Sequence, residues 1–163
     1  MKKLILDEML GRLVKWLRIF GIDANYSKGI SDEEHLELAK AGNRTLITKD
    51  EALSQRCKKL GISCYFLESE KLEEQLAELK TNLDLEFTFP NKTRCPACNN
   101  PLKIVSSLEV ADLVHENVQK RFDKFWICSK CNKAYWEGSH WKNLSRIFEE
   151  ANKLAAKQTN KKQ

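Results

Sequence analysis

The chain has 163 residues, 42% hydrophobic and 31% charged, with a net charge of +5. That balance excludes global disorder, and the length suffices to bury a real core in one domain or a modest pair. No stretch resembles a membrane span, and Asp7 and Glu8 interrupt the opening MKKLIL before an apolar signal core can form, so the chain reads as cytoplasmic.

Leu4, Ile5 and Leu6 form a short apolar run, the pattern of a strand covered on both faces. Past Asp7 and Glu8 the spacing turns helical. Met9, Leu10, Leu13, Trp16, Leu17 and Phe20 line one side, and Arg12, Lys15 and Arg18 recur on another. Gly21 stops that helix, and IDANY predicts a second strand. Ser31 is placed to cap the next helix, with Glu34 completing a capping box. A third strand is predicted at Thr45–Thr48, a helix over 52–60 stopped by Gly61, a fourth strand over 62–67 and an amphipathic helix over 72–79. This alternation argues for an α/β fold with a mainly parallel sheet and helices on its faces.

Residues 85–90 show some apolar alternation, and beyond them the pattern changes. A boundary near 89–93 divides the chain into a first domain over 1–90, a cysteine module over 91–142 and a C-terminal helix with basic tail over 143–163. The last helix is expected over about 143–156, with KQTNKKQ fraying beyond it. Met1–Lys92 holds 15 basic residues against 16 acidic, net −1, whereas Thr93–Gln163 holds 13 against 7, net +6. The asymmetry points to an anionic partner such as nucleic acid.

Asp7, Asp32 and Asp50 each fall at or near a strand-to-helix junction. Alone, each reads as a helix cap or a partner of the helix dipole. Ser31 and Thr48 are good caps already, which leaves Asp32 and Asp50 free. If the first three strands are parallel neighbours, the three carboxylates gather at one sheet edge. Two of them about 4 Å apart would repel by roughly 4 kcal/mol at an effective dielectric near 20. A divalent cation removes that penalty, and hard oxygen ligands suit Mg²⁺ or Mn²⁺ and phosphodiester hydrolysis. Glu8, Glu33 and Glu34 are candidates for a fourth ligand or a base. Arg12, Lys15 and Lys49 are candidates to hold phosphates, or else belong to a solvated face. No Gly-rich phosphate loop follows the first strand. His35 reads as an exposed surface histidine.

Cys95-Pro-Ala-Cys98 and Cys128-Ser-Lys-Cys131 match a closed structural zinc site, and two such knuckles facing each other make a ribbon. The long gap between the pairs predicts an insertion around 109–122. Cys57 and Cys64 read as core fillers. Trp126, Tyr135, Trp136, His140 and Trp141 lie among Lys130, Lys133 and Lys142. They are suited either to stack RNA bases, with Trp136 and His140 as contacts, or to form the module's core and docking surface.

LDEMLGRLVKWLRIFGIDA, SDEE, TLITKDEAL, RCPACNNPL and CSKCNKAYWEGSHW, in this order, resemble the Mut-seven C-terminal RNase domain family over about 4–141. The resemblance implies a PIN-like nuclease fold, a three-layer α/β domain, followed by a zinc ribbon, with divalent-metal ribonuclease activity on RNA. It also implies Asp7, Asp32 and Asp50 as metal-binding acids and the paired cysteines as zinc ligands. PIN-like nucleases generally use four acids, and here the fourth is open. The alternative function is a non-catalytic RNA-binding adaptor.

Overall fold

A computed structural model of the chain describes residues 2–161. Met1 and the end of the basic tail, Lys162 and Gln163, lie outside the described residues. Four short strands, β1 (Leu4–Leu6), β2 (Ala24–Tyr26), β3 (Thr45–Thr48) and β4 (Cys64–Phe66), form a parallel sheet in the order β2-β1-β3-β4. The central position of β1 explains its unbroken apolar run, because both faces are covered.

Strand alternation sends neighbouring side chains into two cores. Leu4, Leu6 and Ile47 meet α1 (Gly11–Ile19), α4 (Leu72–Asn82) and α6 (Trp141–Lys161) on one face. Ile5 and Leu46 meet α2 (Asp32–Ala41) and α3 (Glu51–Lys59) on the other. The result is a helix-sheet-helix sandwich of three layers. Phe20, fully buried, centres the larger core, with the rings of Trp16, Phe87, Phe89 and Phe148 5.2–6.0 Å away. Gly21 follows at φ +89, and a Cβ there would collide with the Thr88 side chain.

The second sheet is antiparallel, β5 (Lys103–Ser106), β6 (Lys124–Ile127) and β7 (Ala134–Trp136) in that order. The insertion between β5 and β6 holds a short 3₁₀ turn, Ser107–Val110, and α5 (Glu116–Gln119).

Residues 85–90 form no strand. Leu85 and Phe87 are instead inserted into the larger core from an irregular segment that ends at a cis Phe89-Pro90 bond. The last helix exceeds its expected span at both ends. It starts at Trp141, whose ring lies 4.9 Å from both Phe89 and Trp126. Ile147, Ala151 and Ala155 carry it along α4, so it completes the α/β core.

Contacts also cross residues 89–93 at the amino edge of the parallel sheet. Arg18, only 6% exposed, donates through its guanidinium to the carbonyls of Ala24, Pro96 and Ala97 at 2.8, 2.9 and 3.2 Å. Asp23 accepts from Arg44 at 2.7 Å and from the Asn99 amide at 2.8 Å.

Candidate active site and metal centre

The carboxyl edge of the parallel sheet carries the acidic residues. Asp7 directly follows β1, and Asp50 stands just beyond the neighbouring β3. Asp7 Oδ1 accepts from the Glu8 N–H at 2.6 Å, and its Oδ2 accepts from the Thr48 hydroxyl at 2.6 Å. The Thr48 oxygen in turn accepts from the Asp50 N–H at 2.9 Å. Thr48 therefore ties the two acidic segments together. Neither Asp7 nor Asp50 has an ion-pair partner among the described residues.

The capping assignment differs from expectation. Asp50 itself caps α3, with Oδ1 accepting from the Leu53 N–H at 3.0 Å. Thr48 ends β3, too early to cap, and its hydroxyl turns sideways to Asp7 instead. Asp50 Oδ2 makes no hydrogen bond among the described residues.

Asp32 opens α2 behind the expected Ser31–Glu34 capping box. Its Oδ2 lies 3.2 Å from Arg56 Nη1, and Glu33 Oε1 lies 2.6 Å from Nη2 of the same guanidinium. Hydrogen bonding and charge from Arg56 hold the Glu33 carboxyl below its ordinary range. Glu8 reaches toward the loop before α2, where its Oε2 accepts from the Gly29 N–H at 3.2 Å. Gly11 lets the start of α1 approach Tyr26, whose hydroxyl donates to the Glu8 carbonyl at 2.8 Å; a Cβ at Gly11 would sit 2.5 Å from that hydroxyl.

Arg12 and Lys15 are exposed on α1 and make no ion pair or hydrogen bond among the described residues. Lys49 is engaged. Its ammonium donates to the Ser69 carbonyl at 3.1 Å and pairs with Glu70, which turns it toward the loop before α4.

His35 is buried, 2% exposed, where a surface position was expected. The inward face of α2 is His35, Leu36 and Ala39, so the ring enters one turn before Ala39. Its Nδ1 lies 3.1 Å from the Ser31 carbonyl. A carbonyl only accepts, so Nδ1 carries the proton and Nε2 is left without a hydrogen-bond partner among the described residues.

The four paired cysteines come together. Their sulfur atoms all lie within 4.8 Å of one another, with Cys95–Cys131 at 3.6 Å and Cys98–Cys128 at 3.4 Å. Tetrahedral zinc bonds of about 2.3 Å to sulfur require sulfurs roughly 3.8 Å apart, so these residues fit the ion. Among the described residues, no three of the carboxylates close to the same separation. Burial pushes the Cys95 thiol up, but hydrogen bonds from the Tyr135 hydroxyl and the Cys98 and Ala97 N–H groups outweigh it and bring the group down to about 7. Burial pushes the Cys57 thiol up to about 12, as suits a core residue.

Both knuckles use one backbone turn. The Cys95 N–H donates to the Asn100 carbonyl and the Asn99 N–H to the Cys95 carbonyl, at 2.8 and 2.9 Å; Cys128, Lys133 and Asn132 repeat this at 2.9 and 3.0 Å. Asn99 and Asn132 take positive φ, 68° and 53°, a conformation asparagine tolerates better than most residues. The repeated C-x-x-C-N was the available signal for it.

The aromatic residues serve two surfaces, with Trp126 and Trp141 belonging to both. Trp126 and Trp141 form the docking surface, with Trp126 Nε1 donating to the Pro90 carbonyl at 3.2 Å. Trp136, half-buried, and His140, exposed, line a groove of about 460 Å³ between β7, the start of α6 and the end of α1.

No helix among the described residues is long and apolar enough to cross a membrane. No curated protein and no solved structure matches the chain. Residues 2–148 match the Mut7-C RNAse domain. With the match running from β1 through the two cysteine knuckles into α6, the chain belongs to the Mut7-C RNAse domain family.

Proposed function

We propose that the protein is a divalent-metal-dependent, PIN-like ribonuclease that hydrolyses RNA phosphodiester bonds, acts in the cytoplasm and carries a zinc ribbon as a structural, RNA-binding module. The observation that carries the reading is the Asp7–Thr48–Asp50 chain of hydrogen bonds at the carboxyl edge of a parallel sheet, in a chain of an RNase domain family. That edge is where ligands bind in open α/β sheets.

Asp7 and Asp50 offer hard oxygen atoms without a balancing cation, a donor set that fits Mg²⁺ or Mn²⁺, with Asp32 as the third acid. When bound, the ion would lower the pKa of a water and offset charge on the phosphate. Thr48 holds the Asp7 carboxylate in place, and the α3 cap does the same for Asp50. Glu8 and Glu33 are candidates for orienting water or accepting its proton. Arg56 holds Asp32 and Glu33 until substrate and ion enter. Arg12 and Lys15 would take phosphates, with Trp136 and His140 on the ribbon side, while Lys49 first has to leave Glu70.

The test incubates purified full-length protein with labelled single-stranded RNA and Mg²⁺ or Mn²⁺, beside Asp7→Asn and Asp50→Asn variants. Wild type is expected to cleave, and each variant to bind RNA but lose about a hundredfold or more in rate. Equal cleavage by all three overturns the reading. Binding without cleavage by any of them favours the adaptor function.

A further inference from the structure

The groove beside β7 is walled by Tyr135, Trp136 and Trp141, and Ile19 at the end of α1 closes one side. At about 460 Å³ it is large enough to take a planar heteroaromatic group. Arg94 and His140 are the basic residues of the lining, and the exposed Lys92, Lys133 and Lys142, next in sequence to Thr93, Ala134 and Trp141, have no ion-pair partner among the described residues. No carboxylate belongs to the lining itself, and Arg94 lies 3.8 Å from Asp23. An aromatic lining that includes Arg94 and His140, reached along the exposed cations of α1, suits a base attached to phosphates better than an uncharged apolar chain.

A path leads from the groove to the acidic edge. Arg12, Lys15 and Ile19 follow at three- and four-residue steps, so they share one face of α1. Arg12 and Lys15 are the exposed, unpaired cations on that face among the described residues, and Ile19 is at the groove. Helical rise places Ile19 about 20 Å from Asp7 along this line, a span of a few nucleotides.

We propose that the groove is a subsite for one unpaired RNA base, and that Arg12 and Lys15 carry the phosphates between it and Asp7, so that the cut falls at a fixed number of nucleotides from the anchored base. The proposal rests on the ribonuclease reading and adds the substrate's path to it.

The test measures binding of a short unstructured RNA to the full-length, zinc-loaded protein by fluorescence anisotropy, without added Mg²⁺ or Mn²⁺. Ser139→Trp fills the groove from an exposed position, and Trp136→Ala and His140→Ala open its wall. Ser139→Trp and Trp136→Ala are each expected to weaken binding roughly tenfold, with zinc content and circular dichroism unchanged for Ser139→Trp and His140→Ala. A single abasic nucleotide walked along the RNA is expected to weaken wild type at one position and to have no further effect on Ser139→Trp. With metal added, the cut lies at constant spacing from that position. Folded Ser139→Trp binding RNA as wild type does, or an abasic walk without a sensitive position, overturns the proposal, even if an apolar peptide proves to fill the groove. Cleavage independent of the groove removes this proposal and leaves the ribonuclease standing; groove-dependent binding without cleavage does the reverse.

Discussion

The four cysteines arrive in two local pairs, each on a five-residue turn, whereas Asp7, Asp32 and Asp50 come from three separate strand-to-helix junctions. The sulfurs stand at bonding separation for zinc, while no three carboxylates among the described residues close to that separation, Asp7 and Asp50 being held by hydrogen bonds and Asp32 by Arg56. Two backbone turns that face each other bring the four sulfurs together, and a closed four-sulfur cage suits an ion that stays. Like-charged carboxylates from distant segments have no reason to converge until a cation joins them. A hard ion that keeps its waters and takes phosphate oxygens does not require a closed cage. The two ends of the sheet are thus suited to permanence and to turnover.

The largest effect should come from stripping zinc. Binding at such a site contributes about 10–16 kcal/mol in small metal modules. Chelation or Cys128→Ser is expected to erase hydrogen-exchange protection in β5–β7 while β1 and β3 keep theirs. Equal loss in both sheets would make the two regions one cooperative unit. Next comes the joint between them. Arg18→Met leaves the Ala24, Pro96 and Ala97 carbonyls without their donor and should cost about 2–4 kcal/mol in urea unfolding, without changing the zinc content.

A smaller effect separates structure from chemistry at the acidic edge. Asp50→Ala removes a helix cap and should lower stability by about 1 kcal/mol, whereas Asp50→Asn keeps a cap and should stay within a few tenths. Both should lose about a hundredfold or more in cleavage rate. If Asp50→Asn cleaves normally, Asp50 is only a cap. Last is the pH response. Burial raises the Asp23 carboxyl, but Arg44 and Asn99 hydrogen bonds and the Arg44 and Arg94 charges outweigh it and hold the group below 3.8. Its stabilisation is therefore complete above about pH 4 and disappears as the pH falls through the depressed folded value. Asp23→Asn should show a shallower loss of stability over that acid range than wild type, and no difference in slope near neutrality.

The sheet and knuckles were legible because their signals are local: LIL, TLIT, the Ser31–Glu34 box and each CxxC stand within a few residues. His35 was misread because the inward stripe of α2 begins one residue earlier than Leu36 suggests. Thr48 was misread because the register that pairs Leu6 with Ile47 sets Asp7 beside it, a contact no local signal records. The groove was illegible as a groove. Trp136, Ile19 and Trp141 belong to three elements, and nothing within any one of them records that α1 ends beside the others.

Arg18 and α6 also bear on the order in which the protein is made. Ile147 and Ala151 enter a core that otherwise belongs to the first 90 residues, and the charge on Arg18 lacks two of its three acceptors until Pro96 and Ala97 emerge. The nascent amino-terminal half therefore has an open face on the ribosome until α6 has been made and covers it. Such long-range completion slows folding and places the burden of avoiding aggregation on the interval before α6 emerges.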